Sequence, residues 1–296
     1  MADISLESYR ADHPDIAGDY TVPQRWAAYT HEEHAVWDLL GQRQARLLPG
    51  RACEAFLSGL QSLGLQAGGI PDFERLSEVL TARTGWRIVA VPGLVPDDVF
   101  FEHLANRRFP AGRFIRRRDQ LDYLQEPDVF HDVFGHVPML AHPVFADYLQ
   151  AYGEGGLRAQ GLGMLPQLAR LYWYTVEFGL LTTTQGLRIY GAGIVSSASE
   201  SVFALADASP HRVAFALERV MRTRYRIDDF QQVYFVIENF EQLLRQTAER
   251  DFGPVYQRLA RLDDLAPDAL AAEDQVLHHG TQAYARARRA GLTGTA

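Results

Sequence analysis

His131-Asp-Val-Phe-Gly-His136 sets two imidazoles five residues apart. Ten histidines in 296 residues make one such spacing ordinary, so the pair gains meaning only from what surrounds it. On a straight α-helix a five-residue step turns about 140° and aims the rings apart. Both can meet one metal only if the helix ends between them, and Gly135 with Pro138 predicts that break. Glu177, inside the apolar run Leu171-Tyr-Trp-Tyr-Thr-Val-Glu-Phe-Gly-Leu-Leu181, is the third candidate, because a carboxylate in core-like surroundings needs a cation. Two partners are open to it. Arg170, seven residues back on the same helical face, would make a salt bridge; a metal shared with His131 and His136 would make Glu177 a ligand. Two histidines and one carboxylate with coordination positions to spare form the donor set of non-haem Fe(II) oxygenases.

Other candidate motifs carry less. His31-Glu-Glu-His34 has its glutamate and second histidine misplaced for a metalloprotease and reads as a solvated first helical turn. Gly191-Ala-Gly193 reads as a turn, Ser196-Ser197-Ala-Ser199-Glu200 as either a helix cap or a ligand contact, and Arg116-Arg117-Arg118 as a basic run able to clamp one carboxylate.

Composition excludes whole chemistries. All 29 positive side chains are arginine, since the chain has no lysine, and Cys53 is its one cysteine. Schiff-base, pyridoxal-phosphate and P-loop chemistry are ruled out, as are an intrachain disulfide, a four-cysteine zinc site and a self-contained iron–sulfur cluster. A metal must therefore be held by histidine and carboxylate. The net charge of −8 argues against a nucleic-acid surface. No run reaches the length of a membrane span and the start of the chain does not read as a secretory signal, so a soluble cytoplasmic protein is expected.

The elements that must position these residues are mostly helical. Thr30 with Glu32 and Glu33 predicts a helix to Pro49-Gly50; further helices are expected over 53–63, 72–84 (stopped by Gly85) and, after a turn and helix start at Pro96-Asp97-Asp98, 99–105. Residues 128–136, 144–152, 166–181, 198–206, 211–221 and 238–249 also read as helical. Strands are expected at 86–91, 187–190 and 233–237. The predicted organisation is a loose leader over 1–29, one catalytic domain over 30–260 and a tail over 261–296.

Three segments in order carry a resemblance. Glu126-Pro-Asp-Val-Phe-His-Asp-Val-Phe-Gly-His-Val-Pro138, Trp173-Tyr-Thr-Val-Glu-Phe-Gly179 and Tyr190-Gly-Ala-Gly-Ile-Val-Ser-Ser197 resemble the pterin-dependent aromatic amino acid hydroxylases. Val91 to Pro110 is similar to the bacterial phenylalanine 4-monooxygenases among them, and the likeness spans roughly residues 35 to 260. The resemblance implies a mainly α catalytic fold with a small β element and an iron basket. It implies His131, His136 and Glu177 as Fe(II) ligands, and Gly93, Leu94, Val95, Phe100, Asp132 and Tyr172 beside a tetrahydrobiopterin-like reduced pterin. Arg116 matches the arginine that holds the substrate carboxylate; Pro127, Trp173, Phe178, Gly193, Ser196 and Ser197 match the substrate pocket. Leu124 stands where animal members carry threonine, and Asp132 where relatives often carry glutamate.

The activity implied is hydroxylation of L-phenylalanine to L-tyrosine with O₂, with tryptophan as the alternative substrate; a stretch after about 260 without a sustained heptad pattern predicts a monomer. Two readings from other classes would use the same residues: a zinc hydrolase with water at the open position, and a silent binder of aromatic amino acids.

Overall fold

The computed structural model describes residues 5–66, 68–122, 124 and 126–291. Residues 1–4 of the expected leader and 292–296 of the expected tail lie outside the described residues. The chain forms two compact units, one taking in residues up to Arg46 with Glu54–Gly163, the other Leu47–Cys53 with the chain from Met164 on. Both are built mainly from helices, and each carries a small sheet.

In the first unit a helix over His31–Leu47 starts where Thr30 and Glu33 bond each other's side chains and backbone. Helices over Glu54–Ser62 and Phe73–Thr84 follow, the second capped by Asp72 and closed by Gly85 in the left-handed region. Strand β1 (Arg87–Val91) then pairs in parallel with β2 (Arg108–Gly112) through the helix Asp97–Ala105. Strand β2 lies in a segment given no strand from the sequence, and it contains Pro110. In a two-stranded pair every other residue turns its N–H to the open edge, where a proline's missing N–H does no harm.

The helix after it, Pro143–Gly161, runs well past the expected end at 152. Gly153 and Gly156 look like breakers, yet a Cβ at either would stand 2.4 Å from the Ala105 amide nitrogen or 2.0 Å from the Phe101 ring. These glycines let two helices approach and are retained for packing, not for a turn.

The leading residues are better ordered than their composition predicts. Leu6–Arg10 is a short helix, and the Val22 N–H donates to the Ala90 carbonyl beside β1. Arg108 is paired to Asp19 at 2.9 Å.

The second unit carries a five-stranded sheet in the order β4-β3-β6-β5-β7, with β3 at Leu180–Thr183, β4 at Gly186–Ile189, β5 at His211–Ala214, β6 at Val233–Ile237 and β7 at Val276–His278. Strand β6 is buried along its whole length, with parallel neighbours on both sides, which is why it reads as an unbroken apolar run. The helix expected over 211–221 is instead β5 followed by a short helix Leu217–Arg222; pairing with β6 overrides the local pattern. Residues 261–291 are also structured: β7 extends the sheet and Ala283–Arg289 is helical. Arg219 pairs with buried Asp274 at 2.7 Å. No helix among the described residues is long and apolar enough to cross a membrane.

Candidate metal centre

The segment carrying both histidines is not a broken α-helix. Phe130–His136 is a π-helix that runs directly into an α-turn, Val137–Leu140, with Pro138 near its start. In a π-helix the bonds run from i to i+5, which stacks residues five apart on one face. The expected break at Gly135 and Pro138 is therefore corrected: the helix widens instead of ending, and the two imidazoles converge with Nε2 atoms 3.3 Å apart. The apolar side of the same segment fixes it in the first unit's core, Phe130 packing edge-on against Trp37 at 5.2 Å and stacking on Phe134 at 4.5 Å. His136 is buried against the Phe109 ring of β2, and His131 is half-buried.

Asp128, which the sequence reading passed over, begins this segment. Its fully buried carboxylate accepts from the His131 N–H at 3.0 Å, from the Arg116 N–H at 2.9 Å, and from Arg116 Nε and Nη2 at 2.8 Å each. Burial alone would raise its pKa; the Arg116 guanidinium and the two backbone donors outweigh it and hold the group below the ordinary carboxylate range. One carboxylate thus ties a histidine of the pair to the arginine expected to clamp substrate. An acidic residue three positions before His131, followed by Val129-Phe130, was the available signal.

Glu177 sits at the end of a second π-helix, Trp173–Glu177, which follows the α-helix Leu165–Tyr172. The long helix expected over 166–181 is shorter for this reason, and the chain then turns into β3. Arg170 is engaged elsewhere: it grips Asp264 through both terminal nitrogens, at 2.5 and 2.6 Å, and donates to the Met221 carbonyl. Gly191 and Gly193 mark close approach more than a free turn. A Cβ on Gly191 would lie 2.4 Å from the Glu177 carbonyl oxygen, and one on Gly193 would lie 3.2 Å from Glu177 Oε2 and 2.9 Å from the Phe178 ring.

One ligand atom each from His131, His136 and Glu177 lies within 4.8 Å of the others, and this is the one such three-donor group among the described residues. Metal–imidazole bonds of about 2.1 Å set two cis nitrogens about 3 Å apart, so the two Nε2 atoms fit ligation by one divalent ion. Neutral imidazole and carboxylate donors without thiolate suit iron.

The remaining expected site residues fall into two groups. In the first unit, Gly93, Leu94 and Val95 form the loop after β1. Tyr9 donates to the Leu94 carbonyl at 2.9 Å, and the Leu94 side chain is 49% exposed. Phe100 is half-buried on the next helix. The Asp132 carboxylate accepts from the Gly112 N–H at 2.7 Å, and Pro127 and Leu124 are half-buried.

In the second unit, Trp173 stacks on Tyr225 at 4.3 Å and leans on Phe178 at 4.8 Å; Tyr172 is half-buried. Ser197 caps the helix Ala198–Ala206 by accepting the Glu200 N–H, so the cap reading holds for it, while the Ser196 hydroxyl donates to the Ala192 carbonyl at 2.7 Å. His34 accepts the Ile70 N–H, an ordinary structural role.

Comparison with known proteins gives a consistent picture. The profile of the family described as biopterin-dependent aromatic amino acid hydroxylase matches residues 1–273. The phenylalanine-4-hydroxylase of Caulobacter vibrioides is 64% identical over 274 residues, covering 93% of this chain and 93% of that protein. A crystal structure of Chromobacterium violaceum phenylalanine hydroxylase with bound iron(III) and 7,8-dihydrobiopterin is 60% identical, with a TM-score of 0.84 over 88% of this chain and 94% of that one. The iron- and phenylalanine-bound structure from the same organism is 56% identical, with a TM-score of 0.86 over 92% and 100% of the two chains.

Proposed function

Because this chain belongs to the biopterin-dependent aromatic amino acid hydroxylases, we propose that it converts L-phenylalanine and O₂ to L-tyrosine with Fe(II) and a reduced pterin such as tetrahydrobiopterin. The observation that carries the reading is the convergence of His131, His136 and Glu177, a two-histidine, one-carboxylate donor set, in a chain similar to phenylalanine hydroxylases with iron, pterin and phenylalanine bound. His131, His136 and Glu177 hold the iron. Gly93, Leu94, Val95, Phe100, Asp132 and Tyr172 take the pterin. Bound together, iron and reduced pterin supply the activation of O₂ and the two electrons that a monooxygenase needs.

The chain's own work is positional. Of the five N–H groups on an arginine, Arg116 gives two to Asp128 and one to the Leu121 carbonyl. Two remain for the carboxylate of the amino acid. A guanidinium locked by a buried carboxylate loses little freedom when it binds a second one, which lowers the entropic cost of orienting substrate. Pro127, Trp173, Phe178 and Gly193, with Ser196 and Ser197, wall the aromatic ring, hold it toward the metal and exclude bulk water. The same reading places the protein in the cytoplasm as a monomer, which a light-scattering mass near a single chain would support.

An aerobic assay with phenylalanine, reduced tetrahydrobiopterin and added Fe(II), reading tyrosine by chromatography, tests the proposal. Tyrosine should form in step with pterin oxidation. Glu177→Gln should lose most bound iron and most turnover. Full iron content and full turnover in that variant would remove Glu177 from the ligand set, and retained zinc with an O₂-independent reaction would overturn the oxygenase reading.

A further inference from the structure

The indole N–H of Trp173 donates to Gln231 Oε1 at 2.9 Å. Gln231 is 3% exposed and its amide has a single workable orientation. Its Nε2 donates to two carbonyls, Arg226 at 2.9 Å and Asp229 at 3.4 Å. Turning the amide over would set an NH₂ against the indole N–H and a carbonyl oxygen against two others, so all three part-buried hydrogen bonds would be lost. The Gln231 backbone is held as well: its N–H reaches Glu200 Oε1 at 3.5 Å, and the same oxygen accepts the hydroxyl of fully buried Tyr234. Just before it in the loop, Asp229 accepts from Tyr284 and Arg288 of the helix Ala283–Arg289, at 2.8 and 2.9 Å, and Phe230 stacks on Phe203 at 4.4 Å. The indole is therefore gripped at its polar end by this loop, with one face stacked on Tyr225 and the Phe178 ring tilted against it.

We infer that Gln231 is a positioning residue for phenylalanine hydroxylation: braced by Glu200 and Tyr234, it fixes the angle of the Trp173 indole and so the pose of the substrate ring against it. This rests on the reading of Trp173 as a wall of the substrate pocket. A hydrogen bond between neutral groups is worth a few-fold to about tenfold, and the loss should appear where the ring is aimed, not where iron is held. Residues in one network give non-additive effects, so a double-mutant cycle isolates the link.

The experiment compares wild type, Gln231→Leu, Trp173→Phe and the double variant, each loaded with Fe(II). Three quantities are read: the phenylalanine KM, the tyrosine formed per pterin oxidised, and the tryptophan emission of the metal-free protein. Gln231→Leu should raise KM about fivefold, lower the tyrosine yield per pterin, and shift the part of the emission that Trp173→Phe removes, with iron content unchanged. In the Trp173→Phe background the same change should move KM less than twofold. Equal effects in both backgrounds would overturn the inference and leave the substrate reading intact. A Trp173→Phe variant with unaltered KM and yield would overturn both, through the pocket assignment. If Gln231→Leu does not fold, Tyr234→Phe, which deletes only the hydroxyl that braces Glu200, takes its place, with a smaller KM increase that must also vanish without Trp173.

Discussion

Replacing Asp128 should expose how much of the site depends on one buried carboxylate. The group is fully buried and accepts four hydrogen bonds, three from Arg116 and one from the His131 N–H, which fills the acceptor capacity of a carboxylate. Arg116 itself is 9% exposed, so Asp128→Ala leaves a buried cation unpaired and a helix-start N–H unmet. Breaking a buried pair in this way costs about 3–5 kcal/mol. Asp128→Asn keeps the shape but removes the charge and points an NH₂ at donors; a loss of about 2–3 kcal/mol follows from charged hydrogen bonds given up. Urea unfolding followed by tryptophan emission measures both.

The sign of the pH dependence is fixed by the depressed pKa: the contribution is present above the unfolded-state value of about 3.9 and is lost as pH falls through the lower folded value. The stability gap between wild type and Asp128→Asn should therefore be full at neutral pH and close in acid. Phenylalanine KM should rise in both variants, because Arg116 is no longer aimed. An Asp128→Asn protein within about 0.5 kcal/mol of wild type, the scatter of an ordinary surface change, and with unchanged KM would refute the argument.

Burial raises the Glu200 carboxyl to about 7, against hydrogen bonds from Tyr234 and the Gln231 N–H that pull it down. A raised folded pKa gives stability that is present below the unfolded value of about 4.3 and lost as pH climbs through about 7. Unfolding measured from pH 4.5 to 8 should show wild type losing about 3 kcal/mol that Glu200→Gln does not lose; parallel curves would contradict this. Gly191→Ala would drive a Cβ to 2.4 Å from the Glu177 carbonyl and 2.5 Å from the Gly179 nitrogen, both backbone atoms. About 1–3 kcal/mol of stability should go, together with iron affinity measured by metal titration, and a fully loaded, equally stable variant would show that the approach is not tight.

How far the sequence could be read depended on whether a signal was local. The helix Phe73–Thr84 was legible because Asp72 and Gly85 bracket it, and β6 because five apolar residues in a row need burial on both faces. Strand β5 was not, since His211–Ala214 becomes a strand only by pairing with β6 some twenty residues on. The donor residues were visible by type, but not the backbone that joins them. Periodicity offers α or β, and a π-turn matches neither, so a break was expected where the helix widens. Gln231 left no trace at all: its role comes from an indole 58 positions earlier in the chain.

The widened turn has a consequence for what kind of change the chain tolerates. A π-turn spends one residue more than an α-turn to return to the same face. Deleting a single residue between His131 and His136 would give the four-residue step that an ordinary α-helix stacks on one side, so the imidazoles would stay neighbours. A proline in the same stretch, which keeps the count but removes a ladder bond, would part them. Along this segment a one-residue deletion should therefore disturb the pair less than a proline would, whereas in a regular α-helix either change breaks the facing of a ligand pair.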